Sequence, residues 1–170
     1  RGEPARMIVL DTNVLSETLK PLPNAAVVAW MAAQPRSTLF TTTVVEAEIL
    51  YGVAVLAGGA RKTQLQAALK AIFTEDLSGQ VIPFDRDCAE AYAAIAANRK
   101  NLGQPISQFD AMIAAATASR GATLATRNLR DFADCGIRLI NPLETWNCRV
   151  RGRGRSPTKQ SIWRWLIVPS

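Results

Sequence analysis

Apolar residues in this chain fall into short unbroken runs separated by longer stretches with helical spacing. The first run, Met7-Ile8-Val9-Leu10, is β-prone and stops abruptly at Asp11-Thr12-Asn13, which predicts a buried strand followed by a loop. The segment NAAVVAWMAAQ, from Asn24 to Gln34, suits a helix capped by Asn24 behind Pro23. Thr38 to Thr41 is a short strand candidate. Val44 to Leu56 and Ala60 to Glu75 read as helices parted by Gly58-Gly59, and Val81 to Phe84 is again strand-like. Asp85 to Asn101 and Ser107 to Arg120 are helical and alanine-rich, the second stopped by Gly121. Ala122 to Ala125 and Ile137 to Ile140 complete the strands. The strand runs do not alternate polar and apolar positions, so both faces of the sheet must be covered. An α/β fold follows, with a short parallel sheet of four or five strands between helical layers. In such sheets ligands collect at the carboxyl ends of the strands.

At 170 residues, 48% hydrophobic and 20% charged, the chain has material for one core and not for two. The pattern ends after Trp146; Asn147 to Ser170 holds six basic residues, no acidic one and no convincing period. We expect one domain over residues 7–146, with 1–6 an N-terminal extension and 147–170 a basic tail outside the folded unit. No run of about 18 uncharged apolar residues occurs, so no membrane-spanning helix is expected, and the apolar stretch of a signal peptide is missing. Cys88, Cys135 and Cys148 are odd in number without C-x-x-C spacing, which suits neither a disulfide framework nor a metal knuckle. The expected location is cytoplasmic.

A net charge of +6 would by itself suggest nucleic acid or an anionic membrane as partner. Residues 7–146, however, carry 12 basic and 13 acidic side chains, so the excess sits at the ends. Histidine is absent altogether. That excludes Ser/His/Asp and Cys/His catalysis, Cys/His zinc fingers and imidazole proton shuttles. Chemistry falls to carboxylates, hydroxyls, amides, thiols and cations.

Asp11 stands directly after the first strand, where an α/β sheet presents functional groups. An Asx-turn or N-cap role is an equal alternative, but Asn13 and Ser16 can fill it too. Thr43-Val44-Val45-Glu46 has capping-box form and gives Glu46 a structural purpose. Glu48 has none. Its neighbours at helical spacing are Val44, Val45, Tyr51 and Gly52, and no lysine or arginine occurs between Arg36 and Arg61 to pair with it. A metal ion is the sharper explanation of such an acid. Ser107-Gln108-Phe109-Asp110 is again a capping box, with aspartate for glutamate, which leaves Asp110 between a helix-start role and a ligand role. Asn128-Leu129-Arg130-Asp131 is ambiguous in the same way: Asn128 can cap while Asp131 accepts amide hydrogens. A parallel sheet puts Asp11 and Asn128 near strand ends, Asp110 at a helix start and Glu48 on an inward face. Carboxylates gathered in this way repel one another unless a hard divalent cation neutralises them, and oxygen ligands suit Mg²⁺ or Mn²⁺ better than zinc. Such an ion activates water and stabilises charge on a scissile phosphate.

MIVLDTNVLSE, VEAEILYG, ISQFDAMIAAAT and LATRNLRDF followed by GIRLINPLE occur in this order between Met7 and about Trp146. In these segments the chain resembles the PIN-domain ribonucleases, specifically the VapC/FitB-like toxins of type II toxin–antitoxin pairs. The resemblance implies a three-layer α/β/α PIN-like fold. It implies an endoribonuclease that hydrolyses RNA phosphodiester bonds with a carboxylate-bound Mg²⁺ or Mn²⁺ and an activated water. It carries the metal-site acids onto Asp11, Glu48 and Asp110. The fourth position falls on Asn128, where some relatives have an aspartate; Asp131 is the nearby acid. Thr12, Asn13 and Thr126 become supporting hydroxyl and amide groups. The resemblance also implies a homodimer and a cognate small DNA-binding antitoxin that inserts a segment into the active-site groove, with operator DNA reached only through that complex and no membrane involved.

The expected catalytic set is therefore Asp11, Glu48 and Asp110, completed by Asn128 or Asp131. Arg86, Arg99, Lys100, Arg127 and Arg130 are candidates for contacts to RNA phosphates, each weighed against an ordinary solvated surface charge. A haloacid-dehalogenase-like phosphatase would need a second acid two residues after Asp11, where this chain has Asn13. The remaining alternative is a catalytically silent PIN-like module that binds RNA or a partner.

Overall fold

The computed structural model describes residues 7–144. The extension 1–6, the tail 147–170 and the last two residues of the expected domain lie outside them. Five strands, β1 (Ile8–Leu10), β2 (Leu39–Thr42), β3 (Val81–Ile82), β4 (Thr123–Ala125) and β5 (Arg138–Ile140), form one sheet in the order β3-β2-β1-β4-β5. Every pairing is parallel. Six α-helices flank the sheet: α1 (Thr12–Leu15), α2 (Ala25–Ala32), α3 (Thr43–Ala54), α4 (Ala60–Ala71), α5 (Arg86–Asn101) and α6 (Gln108–Ser119). The missing polar–apolar alternation has its cause here, since every residue of β1 and β4 is buried on both faces.

The topology decides where a ligand can sit. From β1 the chain builds outward to β2 and β3, then crosses back to lay β4 and β5 on the other side of β1. The connections leaving β1 and β4 diverge, which opens a crevice at the carboxyl ends of these two strands. The register pairs Leu10 with Ala125 and Ala125 with Ile140, so Asp11, Thr126 and Asn141 follow in line along that edge. The register is locked by amides: Asp11 donates to the Ala125 carbonyl and Thr126 to that of Ile140, both at 3.0 Å. On one flank α5 packs along α6, where Ala111, Ala114, Ala115 and Ala116 keep the side chains short enough for close approach. This packing fixes the start of α6, and with it Asp110.

Several elements differ from the pattern-based expectation. The loop expected at Asp11-Thr12-Asn13 is instead the start of α1, followed by a 3₁₀ turn at Ser16–Leu19. Burial of Val14 and Leu15 draws this short segment into a helical turn that is too brief to show a period. Strand β2 starts and ends one residue later than expected, and β3 stops at Ile82 because Pro83 has no N–H to continue the ladder. The long helix expected to Glu75 ends as α4 at Ala71 and runs on as a wider π-type turn over Ile72–Asp76. The cap of α3 is Thr42, whose hydroxyl accepts from the Val45 amide at 3.1 Å. Thr43 instead accepts from the Phe84 amide, so the capping box assigned to Glu46 does not form.

Candidate active site

Asp11 is 4% exposed at the mouth of the β1/β4 crevice. Both carboxylate oxygens are engaged. Oδ1 accepts from the Thr12 amide at 2.7 Å, while Oδ2 accepts from Asn13 Nδ2 at 2.6 Å and from the Thr126 hydroxyl at 2.7 Å. Asp11 is itself the N-cap of α1, so Asn13 and Ser16 do not relieve it of that duty. Asn13 supports the acid instead: its Nδ2 also reaches Thr126 Oγ1 at 3.1 Å, and its Oδ1 accepts from the Arg127 amide at 3.0 Å. Thr126 Oγ1 accepts in addition from the Asn128 amide at 3.0 Å. The strand-end hydroxyl and the amide two residues after the acid thus hold one carboxylate oxygen from two sides.

Burial pushes the Asp11 carboxyl up to about 6, and the charges of Asp110 and Glu48 add to the rise, while hydrogen bonds from Thr126 and the Thr12 amide oppose it. The three acids expected from the sequence are therefore electrostatic neighbours. Glu48 is half-buried and its Oε2 accepts from the Thr12 hydroxyl at 2.5 Å, which joins α3 to the start of α1. The Glu48 that lacked a structural explanation in the sequence thus has a hydroxyl partner, though no cation. Asp110 lies on the first turn of α6; the Ser107 hydroxyl bonds its Oδ2 at 2.6 Å and accepts from its amide at 3.1 Å. The capping reading of Asp110 holds together with its place beside Asp11. No lysine or arginine forms an ion pair with Asp11, Glu48 or Asp110 among the described residues.

Asn128 and Asp131 lie in a turn and not at a helix start, and the Asn128 side-chain amide donates to the Asp131 carboxylate. Of this bonded pair only the Asn128 backbone amide touches the Asp11 network, through Thr126 Oγ1. Two of the five cations considered for phosphate contacts are committed elsewhere. Arg99 is buried, with Nη1 on the Ala133 carbonyl at 2.5 Å and on Gln104. Arg127 sets Nη1 at 3.1 Å from Glu17. Arg86, Lys100 and Arg130 are exposed. Glu17 is the residue that pattern reading passed over: a buried acid in the 3₁₀ turn after α1, bonded by Lys20 and by the Asn24 amide, both at 2.8 Å. Its only signal in the sequence is its place in MIVLDTNVLSE.

The donor set around Asp11 consists of carboxylate, hydroxyl and amide oxygens, hard ligands that suit Mg²⁺ or Mn²⁺. Among the described residues no group of three or more Asp, Glu, Cys or His stands gathered at metal-ligating spacing. Mg²⁺ keeps most of its waters and is commonly bound through one or two carboxylates, so a ready-made cage is not a condition of binding it. What fits the ion is a desolvated carboxylate with two acidic neighbours and, among the described residues, no cation bonded to any of them.

The PIN domain family matches residues 8–136 of this chain. The VapC ribonuclease Y4jK of Sinorhizobium fredii is 41% identical, over 81% of this chain and 99% of its own length. Toxin FitB of Neisseria gonorrhoeae is 36% identical over 80% of this chain and 98% of its own. The structure of FitAB bound to an IR36 DNA fragment superposes with a TM-score of 0.77 at 35% identity, covering 81% of this chain and 96% of that one.

Proposed function

Because this chain belongs to the PIN domain family, among the VapC and FitB toxins of toxin–antitoxin systems, we propose that it is a divalent-metal-dependent endoribonuclease whose centre is Asp11. The observation that carries the reading is the arrangement of that acid: buried at the topological switch point, pressed by Asp110 and Glu48, and bonded by hydroxyls and amides but, among the described residues, by no cation. Asp11, Glu48 and Asp110 would hold the ion. When bound, Mg²⁺ or Mn²⁺ supplies Lewis acidity that neutralises the carboxylates, offsets charge on a scissile phosphate and makes water a competent nucleophile at neutral pH.

The chain's own residues prepare this chemistry. Thr126, Asn13 and the Thr12 amide fix Asp11 in one rotamer, so no reorganisation is needed at the moment of reaction. The Thr12 hydroxyl steadies Glu48 beside it, and Ser107 does the same for Asp110. Asn128, bonded to Asp131, would take the fourth position, with the Asp131 carboxylate as the nearby acid. Arg86, Lys100 and Arg130 remain as exposed cations for RNA phosphates. A homodimer and a small antitoxin that neutralises the acids and carries the operator contact complete the proposal; that the similar FitAB is bound to a DNA fragment supports the operator part. No helix among the described residues is long and apolar enough to cross a membrane. The domain itself is proposed to end near residue 146.

The test is cleavage-site mapping on total RNA with and without Mg²⁺, using Asp110→Asn as control. Metal-dependent cuts that disappear in the variant are expected; undiminished cleavage by Asp110→Asn would remove the assignment. A binding-only module is the second reading, favoured by the replacement of an acid by Asn128. It predicts no heat of Mn²⁺ binding at millimolar concentration in a calorimetric titration.

A further inference from the structure

We propose that the Glu17–Arg127 ion pair is a positioning strut for Asp11, acting through Asn13. The inference deepens the ribonuclease reading and rests on it for its kinetic consequences. Glu17 is 3% exposed and belongs to the turn after α1; Arg127 directly follows Thr126 at the carboxyl end of β4. Their contact, Arg127 Nη1 to Glu17 Oε2 at 3.1 Å, joins two chain segments 110 residues apart on either side of the catalytic crevice. Lys20 bonds the same Oε2, and the Asn24 amide takes Oε1, so the carboxylate has no freedom to turn away.

The consequence is read at Asn13. An asparagine side chain has an accepting end and a donating end, and its neighbours decide which faces where. The Arg127 amide donates to Oδ1 at 3.0 Å, which turns Nδ2 toward Asp11 Oδ2 at 2.6 Å and Thr126 Oγ1 at 3.1 Å. The backbone of Arg127 therefore sets the orientation of Asn13, and its side chain, anchored on Glu17, sets the position of that backbone. An arginine that looks like a phosphate contact in the sequence instead sets its guanidinium on a buried acid, with its own side chain 30% exposed. A partly exposed pair of this kind contributes little stability by itself, so what it supplies here is a fixed geometry.

Kinetics on a single-stranded RNA oligonucleotide with Mn²⁺ provide the first test, using full-length Glu17→Gln, Arg127→Gln, the double variant and Arg127→Lys. Each single variant is expected to lower kcat about tenfold with KM nearly unchanged, the size typical of groups that orient a ligand to a metal. The double variant should lose about the same tenfold and not a hundredfold, because both residues belong to one strut. Thermal stability should change little across the series, since Lys20 and the Asn24 amide still hold Glu17 in Arg127→Gln and Arg127 is partly exposed, while kcat stays low. Arg127→Lys should restore most of kcat. A rise in KM at constant kcat would make Arg127 a phosphate contact and overturn the strut. Multiplying losses, or recovery of kcat in the double variant, would overturn it as well. A readout without RNA separates this inference from the functional proposal: hydrogen exchange of the Asn13 side-chain amide should speed up about tenfold in Glu17→Gln, as expected when a restraint on a buried bond is lost. Unchanged exchange ends the strut whether or not the protein cuts RNA; faster exchange in a protein that cuts no RNA ends only the ribonuclease reading.

Discussion

Replacing Asp11 by asparagine is expected to reduce RNA cleavage by about a thousandfold, the equivalent of about 4 kcal/mol of lost transition-state stabilisation at a metal centre. The substitution keeps the size of the side chain and removes its charge. It also disturbs the hydrogen bonds, because an amide offers one oxygen where the carboxylate offers two. The Thr12 amide donates from one side, and Asn13 and Thr126 from the other. Thr126 Oγ1 already accepts from Asn13 and from the Asn128 amide, and Asn13 Nδ2 is held by the Arg127 amide on its other end, so neither can turn to accept. A folded but slightly loosened protein is therefore expected, one that can be purified and compared. In the wild type, Mn²⁺ at ten times its Kd should stabilise the fold by about 1.4 kcal/mol, or roughly 4 °C in Tm. Asp11→Asn should abolish that shift. Differential scanning fluorimetry with and without Mn²⁺, run beside the cleavage assay, checks both halves; a variant that keeps either the shift or the cleavage removes Asp11 from the centre.

The parts of this architecture that were legible in the sequence are those written in local patterns. Unalternated apolar runs gave the parallel sheet because burial on both faces leaves no polar position to alternate. Glu48 was conspicuous because it is a carboxylate on an apolar face with no cation nearby in sequence. The resemblance of four ordered segments to VapC and FitB toxins agrees with the match of the PIN domain family over residues 8–136. What stayed hidden depends on partners far apart in the chain. Glu17 and Arg127 pair across 110 residues, and neither neighbourhood hints at the other. Arg99, weighed in the sequence between a phosphate contact and a solvated surface charge, is buried with its guanidinium on the Ala133 carbonyl. The capping box read at Thr43 fails because the Phe84 amide takes the Thr43 hydroxyl and Thr42 supplies the cap. In each case a tertiary contact, invisible to periodicity, decides the role.

Stability should fall as pH rises from about 4 to about 6, and Asp11 should account for most of the fall. The folded state holds its carboxyl at about 6 against an ordinary value of 3.8, with burial as the main cause. Between these values the unfolded chain has released the proton that the folded chain keeps, so unfolding gains with every step in pH. Below both values the group contributes nothing; above both, the penalty is complete at about 3 kcal/mol. Glu17 works in the opposite direction. Burial alone would raise its carboxyl, but Lys20, the Asn24 amide and Arg127 outweigh that and hold it below the ordinary value, so its contribution is present near neutrality and lost as the solution is acidified. The two trends overlap in a single titration of the wild type. Subtracting the urea stability of Asp11→Asn from that of the wild type at each pH cancels Glu17 and the other groups that do not couple to Asp11, leaving Asp11 with its neighbours Asp110 and Glu48. The difference should decline by about 3 kcal/mol between pH 4 and pH 7 in the absence of divalent metal. Saturating Mg²⁺ or Mn²⁺ should flatten it, because a cation that binds the ionised carboxylate returns what desolvation takes away. A flat difference without metal would mean that Asp11 is not held near 6, and a slope unaltered by metal would mean that the ion binds elsewhere. The slope and its disappearance therefore test the same feature from two sides: a carboxylate that the fold keeps dry and that only a cation makes comfortable when charged.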